Sequence, residues 1–308
     1  MHRTIFQKLS LQVSASLLLA LLFNCAQAEE ESNKTWKISA EIGWQNDDNV
    51  TTSETDNNSG LSDDALQTDI GIVKIFDLNG TEIEAGYDYS KTKYNSLSSF
   101  DMTSHSLSLS GTKELESINL MGLYLYSESQ LGGSDFLHLS NVYFSAGKLI
   151  GNTRWYLNPA INYQSKNFIS ANTRDAEQYA FDMMALHLGE SSKFKFGFRL
   201  ESENTTGDET DYLAKIYSAS FKTPWNVGSI KSEFEIAHKF TDKNFDNETS
   251  SISTKRWDDR NQTDLKVTIP LDTNLDAKIY YTYVDAQSNL SSSDYVENII
   301  GASLAYSF

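Results

Sequence analysis

The sequence predicts an all-β fold, a transmembrane antiparallel β-barrel of about fourteen strands. Three observations carry this. The last residues, Tyr295 to Phe308, put Val296, Ile300, Ala302, Leu304, Tyr306 and Phe308 on one strand face, with Glu297, Gly301, Ser303 and Ser307 on the other. Segments of similar alternation, about ten residues long, recur along the chain, near the length that a tilted strand needs to cross hydrocarbon. The connections between them alternate between short turns and longer polar loops, as in barrels whose two rims face different compartments.

The first element is residues 1–28, which read as a secretory signal peptide. A basic start with Arg3 and Lys8 precedes an apolar run from Val13 to Phe23, and Ala26-Gln27-Ala28 is a small-residue cleavage site. The mature chain is then expected to begin at Glu29, and residues 29–308 to form the barrel. Acylation at Cys25 is the alternative, but Asn24 stands where a lipoprotein signal wants a small residue. Cys25 is the only cysteine, so cleavage after Ala28 leaves no thiol for a disulfide, a zinc site or a nucleophile.

No later stretch is apolar enough for a membrane-spanning helix, whereas three prolines and sixteen each of Tyr and Phe suit strands. The mean hydropathy of −0.44 reflects apolar positions alternating with polar ones. Losing Arg3 and Lys8 with the leader leaves 23 basic against 42 acidic residues, a net charge of −19, because no Asp or Glu precedes Glu29. Such a surface excludes nucleic acid as a partner. The acid gathers in Gln45–Asp64, Glu201–Asp211 and Thr241–Asp259, which read as solvated loops.

The first strand, Thr35–Gln45, sets Trp36, Ile38, Ala40, Ile42 and Trp44 against Lys37, Ser39, Glu41 and Gly43. Ala65–Phe76, Thr81–Ser90, Met102–Thr112, Ser117–Ser127, Asp135–Lys148 and Thr153–Gln164 follow, and then Ala176–Gly189, Phe194–Glu201, Tyr212–Thr223, Ser229–Phe240, Gln262–Pro270, Leu275–Val284 and Tyr295–Phe308. Short turns are expected at Asp77–Gly80, Lys113–Glu116, Leu149–Asn152, Glu190–Lys193, Pro224–Gly228 and Leu271–Asn274. Long loops are expected at Asn46–Asp64, Lys91–Asp101, Glu128–Ser134, Ser165–Asp175, Ser202–Asp211, Thr241–Asn261 and Asp285–Asp294. Trp36, Trp44, Trp155, Trp225 and Trp257 fall near strand ends or turns, where amphipathic rings meet headgroups.

The polar faces of these strands define a lumen. Lys37, Glu41, Glu82, Glu84, Lys195, Arg199, Lys231, Glu233, Glu235 and Lys266 are its candidate lining residues. Asp88, Glu201, Lys239, Asp264, Asp276 and Lys278 point the same way. Both signs occur, as in a wall stiffened by cross-strand ion pairs or one that sorts charged solutes. About fourteen strands lie between barrels filled by side chains and those with an open channel, so a constriction is expected from the lining or from an infolded loop, Asn46–Asp64 or Thr241–Asn261.

Catalytic and metal sites are not expected. Leu137-His138-Leu139-Ser140-Asn141 resembles the His-x-Ser-Asn stretch of outer-membrane phospholipases, but Val142 replaces a glycine and the hairpin is expected to bring Ile161 or a neighbour opposite His138. Asp242-x-Asn244-x-Asp246-x-Glu248 lacks the glycine and the closing acid of a calcium loop, and no cofactor motif is present.

The terminal Tyr306-Ser307-Phe308 is similar to the carboxy-terminal assembly signal of bacterial outer-membrane barrels, which makes outer-membrane lipid, lipopolysaccharide and the barrel assembly machinery the expected partners. Gly43–Val50, with its Asp48-Asn49-Val50 stretch, together with Tyr281–Tyr283, Ser288-Asn289, Tyr295 and Asn298, resembles outer-membrane β-barrel porins and the barrel domain of surface lipoprotein assembly modifiers. That resemblance implies passive passage of small hydrophilic solutes, with lipoprotein export or loop-mediated adhesion as the alternative. The modifier family usually carries helical repeats before its barrel and this sequence has none, which favours a stand-alone channel.

Overall fold

The computed structural model describes residues 35–228 and 230–308, so the predicted signal peptide and the start at Glu29 lie outside the described residues. The strands run β1 (Trp36–Asp47), β2 (Thr51–Thr52), β3 (Asn57–Asn58), β4 (Asp63–Asp77), β5 (Glu82–Tyr94), β6 (Met102–Glu114), β7 (Asn119–Leu131) and β8 (Ser134–Leu149). They continue as β9 (Trp155–Phe168), β10 (Ala176–Leu188), β11 (Lys193–Thr205), β12 (Tyr212–Val227), β13 (Ile230–Thr249), β14 (Thr254–Pro270), β15 (Leu275–Ser288) and β16 (Tyr295–Ser307). β2 and β3 pair only with each other, and the other fourteen close into one antiparallel barrel in chain order. Each of the fourteen predicted strands is present.

Closure comes from the chain ends. β1 pairs with β16 from Ser39↔Ser307 to Asp47↔Ile299. Beyond that ladder, Ile38 N donates to Phe308 O at 3.1 Å and Phe308 N donates to Ile38 O at 2.9 Å. Among the described residues no edge of the barrel is left unpaired, as a hydrocarbon environment requires.

Alternation sorts the faces. On β1, Trp36, Ile38, Ile42 and Trp44 are exposed to the outside, whereas Glu41, Gln45 and Asp47 are buried. Leu66, Ile70, Leu107, Leu109, Phe144, Ile161, Phe196, Ile279, Ile300 and Leu304 continue the apolar outer band. Polar atoms therefore fill the interior and apolar ones the exterior, the inverse of a water-soluble protein. Trp36, Trp155 and Trp225 lie toward the rim of short turns, and Trp44 and Trp257 toward the other rim. Lys74 stands 4.7 Å from the Trp36 ring centroid at the first of these levels.

The short-turn rim keeps the six predicted turns, with those after β6, β8 and β12 displaced toward the C-terminus. Asn79 and Gly80 have φ of 55° and 73°, and Leu78 and Thr81 exchange backbone hydrogen bonds of 2.8 and 3.1 Å around them, the mirror-image turn that matches strand twist. The opposite rim corrects two predicted loops. Glu128–Ser134 reduces to a turn at Gly132-Gly133, and Thr241–Asn261 is mostly strand, with β13 running 20 residues and β14 running 17 around a turn at 250–253. Past the lipid, outward positions turn polar at Asp242, Asn244 and Asp259, so the hydrophobic period disappears while the backbone ladder continues.

Candidate functional site

The polar interior and its wide mouth form the site. The connection from β1 to β4, residues 48–62, folds inward over that mouth and is anchored at its first residues. Asn298 donates from its backbone N and from Nδ2 to the Asp48 carboxylate at 2.6 and 2.8 Å, and Asn49 Nδ2 donates to Val296 O at 3.0 Å. Val50 is fully buried against Ala65 and Tyr94. Tyr281 Oη donates to Asn298 Oδ1 at 2.6 Å. The Asp48-Asn49-Val50 stretch and the Tyr281, Asn298 positions singled out in the sequence thus meet across the β1–β16 seam, where they seat this loop.

Its tip is fixed on far walls. Asp56, in left-handed backbone with φ 54°, accepts from Arg174 Nη2 at 2.7 Å and from Arg256 Nη2 at 2.7 Å. Arg174 also donates to Glu54 O at 2.8 Å. Arg174 lies between β9 and β10, across the barrel from β1 in strand order, and Arg256 lies on β14. Burial alone would raise the Asp56 carboxyl, but the Arg256 and Arg174 guanidiniums outweigh it and hold the group well below the ordinary carboxylate range. The loop is therefore strapped across the opening by two charge-assisted contacts.

Two neighbouring loops share a device that stiffens this rim. The carboxylate of Asp101 accepts from the N–H of Tyr94 at 2.7 Å, and that of Asp175 accepts from the N–H of Phe168 at 2.6 Å. In each case a short 3-10 turn precedes an Asp seven residues after the last residue of the strand. Asp211 closes the β11–β12 loop in the same manner through Thr205 N at 2.5 Å.

Below the strap, a cavity of about 210 Å³ lies between the loop and the wall from β9 to β16. Deeper still, the predicted lining residues meet in pairs. Lys37 bridges Glu84 at 2.8 Å, Lys278 bridges Glu41 at 2.8 Å and Lys266 bridges Glu235 at 2.6 Å, while Glu233 pairs with Lys222, a residue outside the predicted lining. Arg199 is buried and reaches Glu201 at 2.7 Å and Asp182 at 3.1 Å, with further bonds to Asn162 at 3.2 Å and Gln178 at 3.3 Å. Lys195 is buried on the same strand, within electrostatic reach of Glu235 and Lys266. Glu82 and Lys231 share the inward parity but sit exposed at the short-turn rim, outside these pairs.

Charge is uneven across the lumen, mostly acidic on one wall and mixed on the other. The inward faces of β16, β1, β4 and β5 carry Glu297, Asp47, Glu41, Asp69, Glu84 and Asp88, with Lys37 as the one base there among the described residues. Lys195, Arg199, Lys239, Lys243, Arg256, Arg260 and Lys266 stand on β11, β13 and β14, interleaved there with Glu201, Glu203, Glu233, Glu235, Asp258 and Asp264. Between them, β6 and β7 offer hydroxyls, with Ser104–Ser129 at 2.8 Å and Ser106–Ser127 at 2.9 Å. A mobile ion or dipolar solute would meet a field across the pore as well as along it.

An outer apolar band with aromatic residues toward both rims, a charged interior and a closed ladder define its setting in the bacterial outer membrane. The chain has an outer-membrane β-barrel fold. Among solved structures it is similar to the anion-selective porin from Comamonas acidovorans, with 9% identity and a TM-score of 0.54 over 89% of this chain and 99% of that one. It is also similar to OccAB3 of Acinetobacter baumannii, with 8% identity and a TM-score of 0.50 over 89% and 99% of the two chains. No protein-family profile and no curated protein matches the sequence. The resemblance to lipoprotein assembly modifiers gains no support from these comparisons.

The His138 stretch is also corrected. Register places Asn167 and Glu128 opposite His138, while Ile161 faces Phe144. The β8–β9 turn lies later than predicted, at 150–154, and each residue of displacement moves a cross-strand partner by two. Among the described residues His138 packs against Tyr126, with ring centroids 6.3 Å apart, and forms no hydrogen bond with Ser140 or Asn167. The nucleophile–base contact that acyl chemistry requires is not made there.

Sequence reasoning missed Asp56, Arg174, Arg256 and Arg260. A usable signal existed. Arginines are conspicuous inside otherwise acidic loops, where for Arg174 and Arg256 a carboxylate partner is the physical reason to keep them.

Proposed function

We propose that the barrel is an outer-membrane channel for passive diffusion of small hydrophilic solutes, with the strap over its mouth as the main restriction. The observation that carries this is the interior: charged and hydroxyl side chains line it from the short-turn rim to the cavity under the strap, the polar wall that a path for hydrophilic solutes requires. Outer-membrane lipid, lipopolysaccharide, the barrel assembly machinery and the solutes themselves are its partners. The similar barrel from Comamonas acidovorans is described as an anion-selective porin, which supports a channel without naming a solute for this chain. Purified full-length protein refolded into liposomes is expected to admit sugars below a size limit, read as osmotic swelling. Liposomes that stay as tight as protein-free ones, although the barrel is inserted, would overturn the proposal.

A further inference from the structure

Several bases in and around the cavity already have their acids. Lys166 bridges Glu203 at 2.9 Å, Arg256 holds Asp56 and Asp258, and Arg199 holds Asp182 and Glu201. Two cations lining the cavity differ. Arg260 forms no salt bridge within the described residues, and its buried Nε has no hydrogen-bond partner. The Lys243 ammonium rests 4.0 Å from the Tyr212 ring centroid and 5.8 Å from that of Phe245, and likewise forms no salt bridge.

Four of the nearby carboxylates have donors of their own. Glu201 and Glu203 accept from Tyr212 Oη at 2.8 and 3.1 Å, and Asp258 accepts from Ser288 as well as from Arg256. Glu297, within electrostatic reach of Arg260, accepts from Thr51 Oγ1 at 3.1 Å. A guanidinium cannot shed its proton, so a half-buried one with an unpaired Nε and no acid partner is a ready receptor for an incoming anion.

We infer that the cavity beneath the strap is a binding site for small dicarboxylates, with one carboxylate on Arg260 and the other on Lys243. The two cations are diagonal neighbours on the inward face, since Thr241 pairs with Arg260 and Lys243 with Asp258. Such neighbours stand about 7–8 Å apart at Cα, a spacing that a four-carbon diacid can bridge with long side chains. Lys239, on the same face and lining the same cavity, adds positive potential. Tyr212, Ile216 and Ala286 supply the apolar walls for the carbon chain.

The inference deepens the channel proposal and is tested independently of conduction. Full-length protein refolded in detergent is titrated with succinate by calorimetry at low salt. Saturable binding is expected, at least about tenfold weaker in Arg260→Gln and in Lys243→Gln, unchanged in Lys255→Gln, and not competed by succinamide. Heat-modifiability on gels checks that each variant is a closed barrel, and the two substitutions on different strands guard against one failing to fold. Wild-type affinity in both folded variants, or equal competition by neutral succinamide, overturns the site. Binding without liposome swelling would keep the site and remove the channel; swelling without binding would do the reverse.

Discussion

Replacing Asp56 by Asn tests the strap with little else disturbed. Asn tolerates the left-handed backbone that Asp56 adopts at φ 54°, so the substitution removes charge and not conformation. Two contacts weaken, those to Arg174 and to Arg256, each 2.7 Å in the native protein. Arg256 retains Asp258 at 2.6 Å, whereas Arg174 keeps only the Glu54 carbonyl at 2.8 Å. Hydrogen bonds to charged groups contribute about 1.5–3 kcal/mol each, and the neutral amide keeps part of that, so the loss is about 1 kcal/mol per contact and about 2 kcal/mol in all. At about 1.36 kcal/mol per tenfold, the closed-to-open ratio falls roughly 30-fold, which takes a mouth closed about 99% of the time to about 77%. Single-channel recording of refolded protein in planar bilayers reads this as frequent openings where the native protein is mostly shut. Arg174→Gln and the double variant complete a cycle, in which the two changes are expected to couple by about 1 kcal/mol because they break one shared contact. Recordings of Asp56→Asn that match the native protein, or effects that simply add in the double variant, would refute the strap.

Three further outcomes follow from other contacts. The Asp56 carboxyl is held below its ordinary range, so closure is fully present above about pH 4 and is lost only as pH falls further, through the depressed value; opening with a midpoint near pH 5 in a conductance titration would contradict this. Arg199→Met leaves buried Glu201 and half-buried Asp182 without their cation, and is expected to destabilise the barrel by about 3–5 kcal/mol, read as a lower urea midpoint, with no change refuting the buried network. Deleting Phe308 removes both terminal seam bonds with Ile38 and is expected to lower the inserted fraction in outer-membrane preparations while leaving conductance per inserted barrel intact; normal insertion would show that the terminus carries no assembly signal.

Much of this fold was legible because the membrane enforces it. Within lipid, every second residue must be apolar, so strand number, face assignment and the pairing of Lys37 or Glu41 with opposite charges could be anticipated from period two alone. Above the lipid that constraint lapses, and there the reading failed. Thr241–Asn261 looked like an acidic loop because both faces of β13 and β14 are polar outside the membrane. The strap was half visible: Asn46–Asp64 was one of two loops expected to fold inward, but Asp56, Arg174 and Arg256 come together across 118 and 200 residues of chain, and no local pattern announces such a contact. The Asp48-Asn49-Val50 stretch carries a family resemblance in the sequence, and its physical meaning lies in the seam contact with Asn298.

The seam also sets a clock. Asp48 and Asn298 are 250 residues apart, and every other neighbouring pair of barrel strands is consecutive among the fourteen. Hairpins can therefore form as the polypeptide arrives, but β1 must wait for the last strand before its outer edge finds a partner. Until then the chain carries an open, apolar-faced ribbon, the most aggregation-prone species it will ever be. Its yield in a cell thus depends less on the depth of the folded minimum than on how long that edge stays sheltered, so substitutions that leave the finished barrel untouched but slow the arrival of β16 are the ones expected to deplete it.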